Sequence, residues 1–127
     1  MTKQLISTDQ APRSPLYSQG VRVGPTIHVS GMAGIDVSTG QLSGPTIQDQ
    51  TRQALRNGIA VVEAGGGTRD DIVQVMVLLA SPTDFAGMNE VYATVFPTDP
   101  PTRAVAKLGV ELPGVLVSIL MTAQVTG

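Results

Sequence analysis

The sequence predicts an α+β fold in which two helices lie on one face of a sheet of about six short strands. Three observations carry this. Two stretches, 46–64 and 85–96, repeat their apolar residues with a helical period. Two others, Ile72–Ala80 and Val115–Val125, are nearly continuous apolar runs of strand length. Between the second helix and the strand after it stands Pro97-Thr98-Asp99-Pro100-Pro101, whose three prolines fix φ and stiffen the chain.

Residues Met1–Pro15 are polar, broken by Pro12 and Pro15, and read as an extended lead-in. Tyr17–Val23 alternates loosely, Gly24-Pro25 supplies a turn, and Thr26–Met32 completes a hairpin. Gly31, Gly34, Gly40 and Gly44 mark a loop-rich crossing. In the first helix Ile47, Thr51, Ala54, Leu55, Gly58, Val61 and Val62 share one face. Thr46 with Asp49 three residues on resembles a capping box. Gly65-Gly66-Gly67 is a C-terminal stop; it follows a helix and has no Lys-Ser/Thr after it, which excludes a phosphate loop. Ile72–Ala80 reads as a central strand buried on both faces. Ser81-Pro82-Thr83-Asp84 caps a second helix with the stripe Phe85, Met88, Tyr92, Val95 and Phe96. Arg103–Val110 is a further strand, and Val115–Val125 a last one, apolar on both sides. Two helices cover one sheet face, so the other face calls for a partner subunit.

At 127 residues the chain is one domain, 1–127, large enough to bury a core without staples. Charged residues make up only 14 %, and ten acids against eight bases leave a net charge of −2. There is no basic run and only four aromatics, so no nucleic-acid partner is expected. The absence of cysteine excludes a disulfide framework and a thiolate nucleophile. Neither a signal peptide nor a long apolar run appears, so the expectation is a cytoplasmic protein with no membrane partner.

The first large polar side chain after the proline segment is Arg103. A guanidinium held at a strand entrance by rigid backbone is a preformed clamp for a planar carboxylate. Asn89, beside the apolar stripe of the second helix, is placed to face it. His28 is the only histidine and has no acid near it in sequence, which supports neither a serine triad nor a metal site. The expected metal and cofactor content is none. Glu111, between the last two strands, is the one carboxylate away from helix faces and turns that could serve a site.

The chain resembles the RidA/YjgF family of small homotrimeric enamine and imine deaminases, also described as endoribonuclease L-PSP-like. Ile6-Ser-Thr-Asp-Gln-Ala-Pro12 is similar to its opening, Tyr17-Ser-Gln-Gly20 to its tyrosine motif and Val29-Ser-Gly31 to its strand–glycine motif. Gln50-Thr-Arg-Gln-Ala-Leu55, then Val62-Glu-Ala-Gly65, resembles its first helix. Asp84-Phe-Ala-Gly-Met-Asn89-Glu-Val-Tyr92 with Phe96 resembles its second, and Pro101-Thr-Arg103-Ala with Leu112-Pro113 its signature segment.

The resemblance implies a chorismate-mutase-like fold: a six-stranded mixed sheet with two helices on one face, in a homotrimer with clefts between subunits. It implies that Arg103, the catalytic residue, binds the substrate carboxylate, and that Tyr17, Gly31, Asn89 and Ile119 line the same cleft. The substrate would be a 2-imino or 2-enamino acid, hydrolysed to a 2-keto acid and ammonia. The sequence also departs from the family pattern. Counted from Leu112-Pro113, the position of a water-orienting glutamate in the active deaminases is Ile119, and one extra residue separates Arg103 from Leu112-Pro113. That departure opens a second expectation, a trimer that binds a small carboxylate without deaminating it, such as a tailoring protein of a specialised pathway.

Overall fold

In a computed structural model that describes residues 2–126, the chain builds one six-stranded mixed sheet and two helices. The strands are β1 (Gln4–Ile6), β2 (Gly20–Val23), β3 (Thr26–Ala33), β6 (Ile72–Leu79), β7 (Thr102–Lys107) and β8 (Val117–Gln124). They lie in the order β1-β2-β3-β8-β6-β7. β6 and β7 run parallel; every other neighbouring pair is antiparallel. A small ribbon of β4 (Ile35–Asp36) and β5 (Gln41–Leu42) fills the glycine-rich crossing. The helices are α1 (Ile47–Ala64) and α2 (Phe85–Val95), the second forming the crossover that a parallel β6–β7 pair requires.

Local chemistry explains the boundaries. Val23 and Thr26 face each other across Gly24-Pro25, and Gly24 takes φ 58°, which a side chain resists. Thr46 caps α1 by accepting from the Asp49 amide at 3.1 Å; the Asp49 carboxylate turns instead towards Arg52, so only half of a capping box forms. At the other end Gly66, at φ 97°, donates to Glu63 O, and the Gly67 amide donates to Val62 O, a Schellman closure. The Arg22 guanidinium donates to Gly65 O at 2.6 Å, a cation at the negative end of α1.

The core lies between one sheet face and the helices. Val117, Ile119, Met121 and Ala123 of β8 are buried there with Val75, Val77, Ile27, Val29 and Met32, against Ala54, Leu55, Val61 and Val62 of α1. The other side of the sheet corrects the sequence reading. β8 is not apolar on both faces: its outward residues are Ser118, Leu120, Thr122 and Gln124, all half-buried. β6 is likewise one-sided, with Met76 and Leu78 half-buried and Val73 and Gln74 exposed. Alternation was hidden because the outward positions are themselves partly apolar. The lead-in also contains β1, too short to be distinguished by pattern, which pairs with β2 through Leu5 and Val21.

Buried amides tie the loops to this core. Gln50, 1 % exposed, donates to Gly44 O and Gly114 O, both at 3.0 Å, and accepts from the Leu116 amide at 2.8 Å. Gln50→Leu would leave these three backbone groups unpaired, each costing about 1–3 kcal/mol if water does not reach it. Urea titration at fixed protein concentration should then show unfolding free energy reduced by about 3 kcal/mol or more. An unchanged midpoint would mean that the amide is dispensable.

Candidate functional site

Arg103 is the second residue of β7, in register with buried Val75, so its side chain rises on the helix side of the sheet. The approach is shaped by Asp99, which adopts φ 47°, a left-handed conformation that Asp tolerates better than most residues, and by Pro100-Pro101. α2 then receives the guanidinium. Arg103 Nη1 donates to Asn89 Oδ1 at 2.7 Å and lies 3.9 Å from Met88 Sδ. Its Cζ stands 4.7 Å from the Tyr92 ring centroid and 5.8 Å from that of Phe85. None of the salt bridges among the described residues involves Arg103. The result is an exposed cation, oriented from several sides and unneutralised, with donors to spare for an anion. Beneath it, burial pushes the Tyr92 phenol up, against the opposing pull of Arg103, and its hydroxyl has no hydrogen-bond partner among the described residues.

A second group of residues gathers at β3 and β8. The ladder between them shifts register between Val29 and Met32, a bulge that contains Ser30 and Gly31. Ser30 holds the preceding loop alongside: its Oγ donates to Ser18 O at 2.6 Å and its amide to Gln19 O at 2.9 Å. Tyr17, at the start of that tethered segment, is 49 % exposed. Gly31 is exposed on the outer face, and a Cβ there would stand 2.9 Å from Ser118 Oγ. Glycine is therefore required for anything to reach that hydroxyl from the β3 side.

Ile119 is not part of this group. It is fully buried, paired with Met32 and Val77 on the helix side of β8, and cannot line a cleft on the outer face. A forward count from Leu112-Pro113 misses the outward position by one residue, and a shift of one residue exchanges the two faces of a strand. Ser118 is the residue that looks outward beside Gly31. The alternation of β8 could have revealed it, had the outward positions been more polar.

Within one chain the expected residues thus form two separate groups. Asn89 and Arg103 meet at the β7 edge; Tyr17 and Gly31 sit by the bulge of β3. β8 and β6 lie between them, three strand spacings or about 14 Å, and the groups face opposite sides of the sheet. A cavity of about 820 Å³ lies elsewhere, on the outer side of α1 near Arg52, Arg56 and Asp36, and none of the expected residues lines it. Among the described residues no cluster of three or more His, Cys, Asp or Glu is arranged for a metal ion. No helix among them is long and apolar enough to cross a membrane.

The sequence model of the family described as Endoribonuclease L-PSP matches residues 8–125. This chain belongs to the RidA/YjgF family. A RutC family protein of Saccharolobus solfataricus is 39 % identical over 124 residues, covering 96 % of this chain and 98 % of that one. The 2-iminobutanoate/2-iminopropanoate deaminase of Homo sapiens is 38 % identical and covers 82 % of this chain and 77 % of its own. Among solved structures, RidA from an Antarctic Psychrobacter superposes with a TM-score of 0.89 at 35 % identity, covering 96 % of this chain and 99 % of that one. E. coli TdcF with bound serine also gives 0.89, at 32 % identity, covering 97 % and 99 %. The α+β architecture of two helices and a six-stranded mixed sheet is the one these RidA relatives share.

The opposite environments of two adjacent β8 residues give a direct test. Ile119→Glu places a carboxylate in the core without a partner and should lower stability by about 3 kcal/mol or more. That corresponds to a fall in thermal midpoint of about 10 °C. Ser118→Glu faces outward and should lower it far less. Equal losses for the two variants, by calorimetry, would contradict the inward–outward assignment.

Proposed function

We propose that this protein hydrolyses reactive 2-imino or 2-enamino acids to 2-keto acids and ammonia, as a homotrimer whose clefts lie between subunits. The observation that carries the reading is the unneutralised Arg103 guanidinium, held by Asn89 and the faces of Tyr92 and Phe85. Such a fork suits a substrate carboxylate, bidentate and planar. Relatives named as imine deaminases at about 40 % identity support the substrate class, and TdcF with bound serine supports a small carboxylate ligand. The family's description names a ribonuclease, but a net charge of −2 and four aromatics favour a small anion over RNA.

The separation of the residues supports the trimer. Arg103 and Asn89 lie too far from Tyr17 and Gly31 to act on one small molecule within a chain, so a neighbouring copy would bring the second group to the first. The outer sheet face has the character of such an interface: Leu5, Val21, Met76, Leu78, Ala104, Ala106 and Leu120 lie on it, only partly covered. In the complete cleft Arg103 fixes the carboxylate, and Gly31 leaves the backbone open to the bound molecule. Water then adds to the C=N carbon and ammonia departs. Positioning of an already reactive imine is a large part of such catalysis.

The second reading, a trimer that binds a small carboxylate without turning it over, draws on one observation. The outward neighbour of Gly31 is a serine, and no glutamate stands there. Ammonia release from freshly generated 2-imino acids separates the two.

Light scattering at micromolar concentration should return three times the chain mass of 13.2 kDa. A clean monomer would remove the shared cleft. Arg103→Ala should weaken binding of small 2-keto acids by about 2–5 kcal/mol, well over tenfold, with folding intact. Arg103→Lys should recover only part of this, lacking the planar fork. Titration calorimetry giving the parent affinity for both variants would reduce Arg103 to an ordinary surface arginine.

A further inference from the structure

We propose that the Ser118 hydroxyl positions the attacking water in this cleft and relays its proton, so that hydrolysis proceeds through a neutral group rather than a carboxylate. This rests on the imine-hydrolysis reading. Ser118 is half-buried on the outer face of β8, paired with Ala33 on one side and Leu78 on the other, with Leu120 next along the same face. Among these apolar neighbours it is a lone polar side chain. Its hydroxyl takes part in none of the side-chain hydrogen bonds among the described residues, so one donor and two lone pairs remain available. They are directed at the one place where the adjacent ladder is interrupted and no side chain intervenes: the position of a Cβ on residue 31 is 2.9 Å from Ser118 Oγ. A water or substrate nitrogen over Gly31 would thus meet this hydroxyl and the backbone of the bulge together.

A serine hydroxyl does not ionise in the physiological range, so it serves as a relay and not as a base. In the first step the water oxygen bonds to the imine carbon and the C=N π pair moves to nitrogen. One water proton passes to Ser118 Oγ while the serine's own proton passes to that nitrogen, giving the carbinolamine. In the second, the carbinol O–H proton passes to Ser118 as the serine proton moves to the amine. The C–N bond breaks with its electron pair leaving on ammonia, and the C=O bond forms. The serine is regenerated in each step and no net charge or electron is required.

The neutral relay has a signature. Kinetics would be measured on the full chain with 2-iminopropanoate generated in situ by an amino-acid oxidase, following ammonia release across pH 5–8, and Kd for pyruvate would be measured in parallel. Ser118→Ala should lower kcat by about 10²-fold, the lower end of acid–base contributions, with Kd for pyruvate unchanged. Ser118→Thr, which keeps the hydroxyl, should restore most of the loss. Ser118→Glu should restore rate only above a new acidic limb that the parent protein lacks, raised above the usual carboxylate range by Leu78 and Leu120. Parent activity that Ser118→Ala leaves unaltered, while Arg103→Ala abolishes it, would overturn the relay alone. Ammonia release by the parent protein no faster than in buffer would overturn the relay together with the reading it rests on.

Discussion

The side-chain amide of Gln50 decides where the last strand begins. From inside the first turn of α1 it grips Gly114 and Leu116 on one side and Gly44 on the other, three bonds made by one buried group. β8 starts one residue after that grip, and it is the strand that joins β3 to β6 across the middle of the sheet. A slip of one residue there would turn Val117, Ile119, Met121 and Ala123 out of the core and expel the packing against α1. The inward Ile119 and the outward Ser118 are therefore consequences of one hydrogen-bonded anchor and the hydrophobic pattern acting together.

Amides carry this role elsewhere too. Gln19, 3 % exposed, donates to the carbonyls of Thr8, Ala11 and Pro12 and accepts from the Thr8 amide, which holds the strand-poor lead-in against the sheet. Asn57 donates to Ala33 O and Ile35 O and accepts from Gln53, fixing the exit of β3. The ion pairs among the described residues are all solvent-exposed and of the kind that contributes little. A chain with so few charges organises its loops through neutral groups that satisfy backbone donors and acceptors, and the tyrosine segment beside Gly31 is placed this way.

The arginine is positioned by different means. Proline stiffness and the strained Asp99 turn deliver the backbone, the aromatic faces of α2 receive the cation, and Asn89 fixes its rotation. Because this happens at the edge strand, while the glycine bulge lies three strands away, the chemistry is divided between two surfaces of the same molecule. An outer sheet face with little charge and much small apolar surface is the physical reason to look for the joining contact between copies.

Much of this was determined by the sequence itself. Thr46 and the glycine triplet bound α1 within a residue, Gly24-Pro25 marked the hairpin, and the proline segment announced Arg103, because each acts through local φ, capping or steric constraints that neighbours in sequence supply. The family was legible from short motifs that follow one another along the chain in the family's own order. Only the tertiary structure decided the parity of β8 and the separation of Tyr17 and Gly31 from Asn89 and Arg103. Parity depends on a long-range grip between residues 50 and 116, sixty-six positions apart. The separation follows from a strand order, β3-β8-β6-β7, that sets residues distant in sequence side by side and others several strands apart. Neither could be counted along the chain, since both are properties of which strands pair.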